Sequence, residues 1–339
     1  MNNTNRSVCL AIFIVVILPV CDFFNDPRHD LEVKKMLEQV NENMVFVKGG
    51  TFMMGDTGDG KEIEFFSNYD EVKGIKEITL DSYFINKYET TWGEYVLYLK
   101  DTGKYNFQLD PKSEIQAIHA VDKVDSPYYF KRPALAPSWA EASNYCTWLS
   151  KTTNKPYGLP TEAQWEYAAR SGGKRVHFAT EDGFTLDIDD YMAGEYKHRD
   201  PVTGKTVILE ATDPFAKPKG NAFVYSDSYD FETLYRVVGS YAPNALGIHD
   251  MTGNAKEWTA DWYDEKYYQY LPRINPTGPI NPVSYIDLTA GGLTPEKTVR
   301  DWIQGSNFWA LNVSLYVRGG QPVNLFDVGF RCVLNINRE

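Results

Sequence analysis

The sequence is poor in several things that would settle its class at once. It holds no run of Lys or Arg longer than two and carries a formal net charge of −12, so the basic patch that a nucleic-acid binder needs is missing. Its five histidines (His29, His119, His177, His198, His249) are scattered, with no HxxxH or HExxH spacing, so no local histidine metal site is encoded. GxSxG, P-loop and GxGxxG motifs are absent, which removes the usual hydrolase and nucleotide-binding signatures. No period of repeat-protein length recurs. No apolar run reaches the roughly 20 residues of a membrane-spanning helix.

What is present points to a large, aromatic-rich domain. The chain has 339 residues, 43% hydrophobic and 14% aromatic, enough to bury a sizeable core. Its 25 Gly and 18 Pro are spread along the chain, which implies many short elements joined by ordered loops. The acidity reads as solubility. No Pro/Ser-rich linker divides the chain, so one domain is expected after the leader.

The N-terminus reads as an export signal. Cys9–Cys21 is apolar and uncharged, too short to span a membrane and suited to the h-region of a signal peptide. Leu18-Pro19-Val20-Cys21 resembles a bacterial lipoprotein cleavage box, although Val20 stands where a smaller residue is usual. Cys21 is then the lipidated residue, and the chain a membrane-anchored lipoprotein of a bacterial envelope, periplasmic in location. An uncleaved anchor and simple secretion are the alternatives. Residues 1–21 are thus expected as leader, 22–43 as a polar tether with one short helix, and 44–338 as the domain. Of four cysteines, processing leaves Cys146 and Cys332 unmodified in an oxidising compartment. They form either a bridge closing most of the domain or two buried thiols.

Local patterns are clearest in the first half. Val45 and Val47 alternate around Phe46, and Gly49-Gly50 suggest a hairpin. Ile78, Leu80 and Tyr83 are candidate core positions. Thr91/Glu94, Ser138/Glu141 and Thr161/Gln164 have capping-box spacing, each ahead of a helical apolar stripe. Glu162, Glu166 and Arg170 at i, i+4 spacing suggest a surface or helix-to-loop salt-bridge network. Arg331 is expected to anchor loops from inside. Residues 174–235 show little periodicity.

"MVFVKGGTFMMG", "YETTWGEY", "SWAEASNYCTWLS", "LPTEAQWEYAAR", "VGSYAPNALGIHDMTGNAKEWTADWY" and "DVGFRC" occur in that order. Together they resemble the formylglycine-generating-enzyme (sulfatase-modifying factor) family over residues 44–338. The resemblance implies an irregular α+β variant of the C-type-lectin fold with little regular secondary structure. It also implies a copper-dependent oxidase whose Cu(I) is held by two thiolates near the C-terminus. Here Trp309 and Ser314 occupy the positions of that cysteine pair, so no copper and no oxidase chemistry are expected. Cys146 and Cys332 match a structural disulfide of some relatives.

The resemblance further implies a calcium loop in "DMTGNAKE", with the side chains of Asp250 and Glu257 and the carbonyls of Gly253 and Ala255 as ligands. A looser second site would use Asn221, Ala222, Asp230 and Glu232. The alternative for the first loop is a capped turn, with Asp250 and Asn254 capping and Trp258 and Trp262 filling core. The functional expectation is a non-catalytic lipoprotein binding another protein or envelope component. Two readings remain beside it: an oxidoreductase of the family with non-copper chemistry, and a glycan-binding lectin-like module. Phe308 and Trp309 are expected to pack in the core, the alternative being that they line a groove for a protein or glycan.

Overall fold

The computed structural model describes residues 27–55, 75–105, 129–136, 138–176, 178–181, 195–199, 206–210, 237–240, 243–287, 292–301, 315, 318–324 and 328–336. Cys21, Asn221, Ala222, Asp230, Glu232, Phe308, Trp309 and Ser314 lie outside them. Among the described residues no helix is long and apolar enough to cross a membrane.

Helix α1 spans Pro27–Glu42. The one helix expected in this polar stretch forms, and Val33, Met36 and Val40, at i, i+3 and i+7, make a stripe that is buried in one of the two core clusters. Three apolar residues among sixteen are too few to lower the overall polarity of the stretch, but their spacing puts them all on one side.

Strands β1 (Met44–Val47) and β2 (Gly50–Met54) follow, then β3 (Lys76–Leu80) and β4 (Tyr83–Asn86). The expected hairpin at Gly49-Gly50 does not form. β1 pairs with β4, whereas β2 pairs with β3. Gly49 is where the chain passes between the two sheets, and a Cβ there would collide with the backbone of Leu80 to Ser82. Val47, Ile78, Leu80, Tyr83 and Ile85 are buried and Phe46 points outward, as their alternation predicts.

Helix α2 (Trp92–Asp101) carries the full Thr91/Glu94 capping box and buries Trp92, Tyr95, Val96 and Leu99. Helix α3 (Trp139–Thr153) forms only half of its expected box. Ser138 accepts the Glu141 N–H, but the Glu141 carboxylate is drawn away to Lys104 Nζ at 3.2 Å. After β5 (Tyr157–Gly158), helix α4 (Glu162–Ala169) has both halves of the Thr161/Gln164 box. β6 (Glu195–Arg199) and β7 (Thr206–Glu210) pair as a hairpin inside a region whose sequence shows no clear period.

The second half is built on β8 (Glu257–Trp262), the short helix α5 (Tyr267–Tyr270), β9 (Ser284–Asp287), β10 (Gly292–Arg300), β11 (Arg318–Pro322) and β12 (Val333–Asn335). β10 lies between β8 and β11 and also pairs with β9. β12 returns to the first sheet, in the order β1-β4-β12-β5. The C-terminal strand therefore lies beside the N-terminal ones, and the Cys146–Cys332 disulfide locks α3 to the approach to β12. Of the two alternatives for these cysteines, the bridge is the one formed.

Candidate functional site

Among the described residues two buried charge centres occupy the interior, and the Gly247–Glu257 loop belongs to the first. The loop turns back on itself through left-handed residues: Asp250 (φ 56°), Gly253 (φ 91°) and Asn254 (φ 74°). Asp and Asn tolerate this region better than other side chains that carry a Cβ. Such a backbone turns its polar groups inward, and Arg331 collects them. The guanidinium donates to Glu257 through Nε (2.9 Å) and Nη2 (2.6 Å), and to the carbonyls of His249 (3.1 Å) and Asp250 (3.2 Å). It also reaches the carbonyls of Asn86 and Lys87. The expectation that Arg331 anchors loops from inside is met.

Glu257 accepts a further bond from Trp165 Nε1 at 3.0 Å. Around the pair stand three more buried carboxylates. Asp250 accepts the Gly239 N–H. Asp301 Oδ2 accepts the Gly253 N–H at 2.7 Å. Glu89 accepts Asn254 Nδ2 at 2.7 Å and the Ala255 N–H at 2.9 Å. Burial, with Asp250 and Glu257 adding to it, pushes the Glu89 carboxyl well above the ordinary range. Burial and Glu257 do the same to Asp301. Four buried carboxyls thus share one guanidinium, and Asp301 Oδ1 meets no donor.

These observations bear on the calcium ligand set. Hard oxygens and an orphaned carboxylate oxygen are the donor type of a hard divalent cation, although among the described residues no group of three or more His, Cys, Asp or Glu side chains is placed to hold a metal ion. Glu257 is the least suited of the four expected ligands, because Arg331 and Trp165 already use its oxygens. Glu89 and Asp301 were missed by sequence reasoning. Asp301 follows the buried end of β10, Lys297 to Arg300, and takes a positive φ of 58°.

The second centre corrects the surface reading of Glu162, Glu166 and Arg170, all of which are at most 1% exposed. Arg170 meets Glu166 at 2.9 Å. Arg300, from β10, bridges Glu162 (2.9 Å) and Glu166 (3.0 Å), and Arg318, from β11, reaches Glu162 at 2.6 Å. The arginines lie more than a hundred residues downstream, so the local i, i+4 pattern shows only one edge of the network. Burial alone would raise the Glu162 carboxyl, but the Arg318 guanidinium outweighs it and holds Glu162 below the ordinary range.

Asp261 and Lys297 border this network. Lys297 Nζ lies 3.8 Å from the ring centroids of both Trp139 and Trp262 and donates to the Ala260 carbonyl at 2.7 Å. Trp262 is therefore only partly core-filling: it is half-buried beside this ammonium, whereas Trp258 is fully enclosed. Burial lowers Lys297 to about 8, with Asp261 partly offsetting it. Burial, then repulsion from Glu162, pushes Asp261 up to about 7.

The native state therefore holds the Asp261 proton more tightly than the unfolded chain, and stability falls as pH rises through the window between about 4 and 7. For Lys297 the native state loses its proton first, so stability rises above about pH 8. Asp261→Asn should flatten the first limb. Between pH 5 and pH 7 the wild type should lose about 2 kcal/mol relative to the variant, read from urea unfolding at each pH. Parallel curves would show that Asp261 does not titrate there.

Short strands in two main sheets, helices set around them, a long-range disulfide and interior arginine–carboxylate networks make an irregular α+β domain. The chain belongs to the sulfatase-modifying factor enzyme 1-like domain family, whose model matches residues 31–336. The serine/threonine-protein kinase Pkn1 of Chlamydia trachomatis is 28% identical over 75% of this chain, which spans only 33% of that protein. The chaperone protein LppX of Paenibacillus barcinonensis is 26% identical, over 66% of this chain and 73% of that protein. Among solved structures, PvdO from Pseudomonas aeruginosa superposes with a TM-score of 0.52 at 21% identity, over 86% of this chain and 94% of PvdO. That likeness supports the fold.

Proposed function

We propose that this chain is a non-catalytic member of its family, exported and anchored at a membrane through Cys21, that acts as a binding or structural component of the cell envelope. The observation that carries this reading is the placement of its sulfur. No cysteine lies between Cys146 and Cys332, and those two are bonded to each other. The domain is left without a free thiolate. Trp and Ser, at positions 309 and 314, offer none of the soft donors on which Cu(I) depends. A protein-binding role is supported by the relative named as a chaperone, of which this chain covers 73%. The kinase name belongs to proteins about three times as long as the part matched, and nothing of that activity is carried over.

The test is oxygen uptake by the mature chain with Cu(I) and a CxPxR peptide. No formylglycine above the protein-free background is expected, and stoichiometric product would overturn the reading. Anchoring is tested separately: a diacyl mass increment on Cys21 is expected in chain extracted from membranes, and an unmodified Cys21 would refute it.

We also infer that the Gly247–Glu257 loop holds calcium, with Asp250, the carbonyls of Gly253 and Ala255, and the orphaned Asp301 as its oxygen donors, while Glu257 serves Arg331. A cation bound at 100 to 1,000 times its Kd stabilises by about 3–4 kcal/mol. Chelation should therefore lower the melting midpoint by several degrees, and calcium but not potassium should restore it. An unchanged midpoint would remove the metal.

A further inference from the structure

A cavity of ≈ 440 Å³ opens where the C-terminal turn of α1 faces the start of α2. Its size falls within the range of small-molecule pockets. The segment after β4, the turn at Tyr129–Lys131 and the Val237–Val238 segment complete its wall. The same face of the chain supplies two carboxylates, Glu89 and Glu94, and two aromatic rings, Tyr88 and Phe130.

The groups left over in this wall accept hydrogen bonds. Asn86 is only 5% exposed, yet its Oδ1 meets no donor. Glu94 uses Oε2 for the backbone N–H (2.6 Å) and hydroxyl (2.9 Å) of Thr91, and its Oε1 takes neither bond. Glu89 ties this wall to the carboxyl-rich centre behind it, where burial, then Asp250 and Glu257, raise its carboxyl. A concave wall carrying charge of one sign concentrates ligands of the other. The Tyr88 ring already draws the Lys87 ammonium to 5.3 Å, as an aromatic face does with a cation. Among the described residues of the lining Lys131 is the one cation, and it is exposed at the rim, where solvent screens it.

We propose that this cavity is a binding site for a small organic ammonium ion of the diamine class. The ammonium head donates to Asn86 Oδ1 and the Glu94 carboxylate. The methylene stem lies along the apolar part of the wall at Val40, Val237 and Val238. A neutral polyol would leave the carboxylates without a counter-charge, and an anion would meet them directly. The site is distinct from the calcium loop: it takes a directional N–H donor with an apolar stem, and its lining includes none of the calcium ligands named above.

The test is calorimetric titration of the mature chain with 1,4-diaminobutane, in excess calcium so that an inorganic-cation site is already filled. Saturable one-to-one binding in the micromolar to about 1 mM range is expected, with no heat from 1,4-butanediol, the neutral isostere. Glu94→Gln should weaken binding about tenfold, the loss of one charge-assisted bond. Glutamine still completes the α2 capping box, so circular dichroism should be unchanged. Val238→Phe should abolish binding by filling the cavity. Absence of saturable heat from the diamine, equal binding of the diol, or an unaltered Kd in a folded Glu94→Gln variant would each overturn the proposal.

Discussion

Replacing Arg331 by methionine is expected to cost about 3–5 kcal/mol, or to prevent folding outright. The side chain is fully buried and donates to Glu257 and to the carbonyls of Asn86, Lys87, His249 and Asp250. Methionine matches the volume roughly but supplies no donor. Glu257 would then be a buried charge with Trp165 as its remaining partner, and Glu89, Asp250 and Asp301 would lose the one cation among them. Glu257→Gln alone should cost less, because it lowers the negative excess even as it weakens the pair. The double variant should cost clearly less than the sum of the singles, since each removes the reason the other is needed. Urea unfolding of the three variants measures this. A loss under about 1 kcal/mol for Arg331→Met would show that the centre is not organised by its guanidinium. Lower pH should partly rescue Arg331→Met, because protonated carboxyls need no counter-charge.

The same physics decides how much of this protein could be read from its residues. Periodic segments were legible: the stripes of α2, α3 and α4, the alternation around Phe46, and two of three capping boxes stand where spacing places them. Each depends on neighbours within four or five residues. What escaped depends on partners far along the chain. Ser138 and Glu141 have the spacing of a capping box, but Lys104 competes for the carboxylate from another element. Gly49-Gly50 resembles a turn between paired strands, yet it sends β1 and β2 to different partners. Val33, Met36 and Val40 are sparse enough to pass for a tether.

The charged interior was the least legible part. Glu162, Glu166 and Arg170 look like a solvated helix face because exposure is the usual fate of such residues. They are buried because Arg300 and Arg318 arrive from the central and flanking strands of another sheet. The loop around Asp250 was legible as a polar, Gly-centred turn, since motif and backbone demand coincide there. Its partners Glu89 and Asp301 were not, as a single acid between ordinary neighbours carries no local signal. A disulfide was one of two alternatives from cysteine count, and a family feature by resemblance.

That disulfide carries the other large expectation. Cys146 and Cys332 are 186 residues apart, with both sulfurs fully buried. By chain entropy, closing so long a loop restricts the unfolded ensemble by about 5 kcal/mol. The bridge also acts where the C-terminal strand joins the first sheet: β12 pairs with β4 and β5, and Phe330 meets the Tyr95 and Tyr145 rings edge-on close to Cys332. Cys146→Ala/Cys332→Ala should therefore lower stability by several kcal/mol. The entropic account makes a further claim. The loss should appear mainly as faster refolding of the bridged chain over the open one, provided that the β12 pairing forms early, and as faster unfolding of the open chain if it forms late. Stopped-flow folding of both forms in denaturant would separate these. Equal equilibrium stability of the bridged and alanine forms would show that the packed strands and rings hold the closure without the bond.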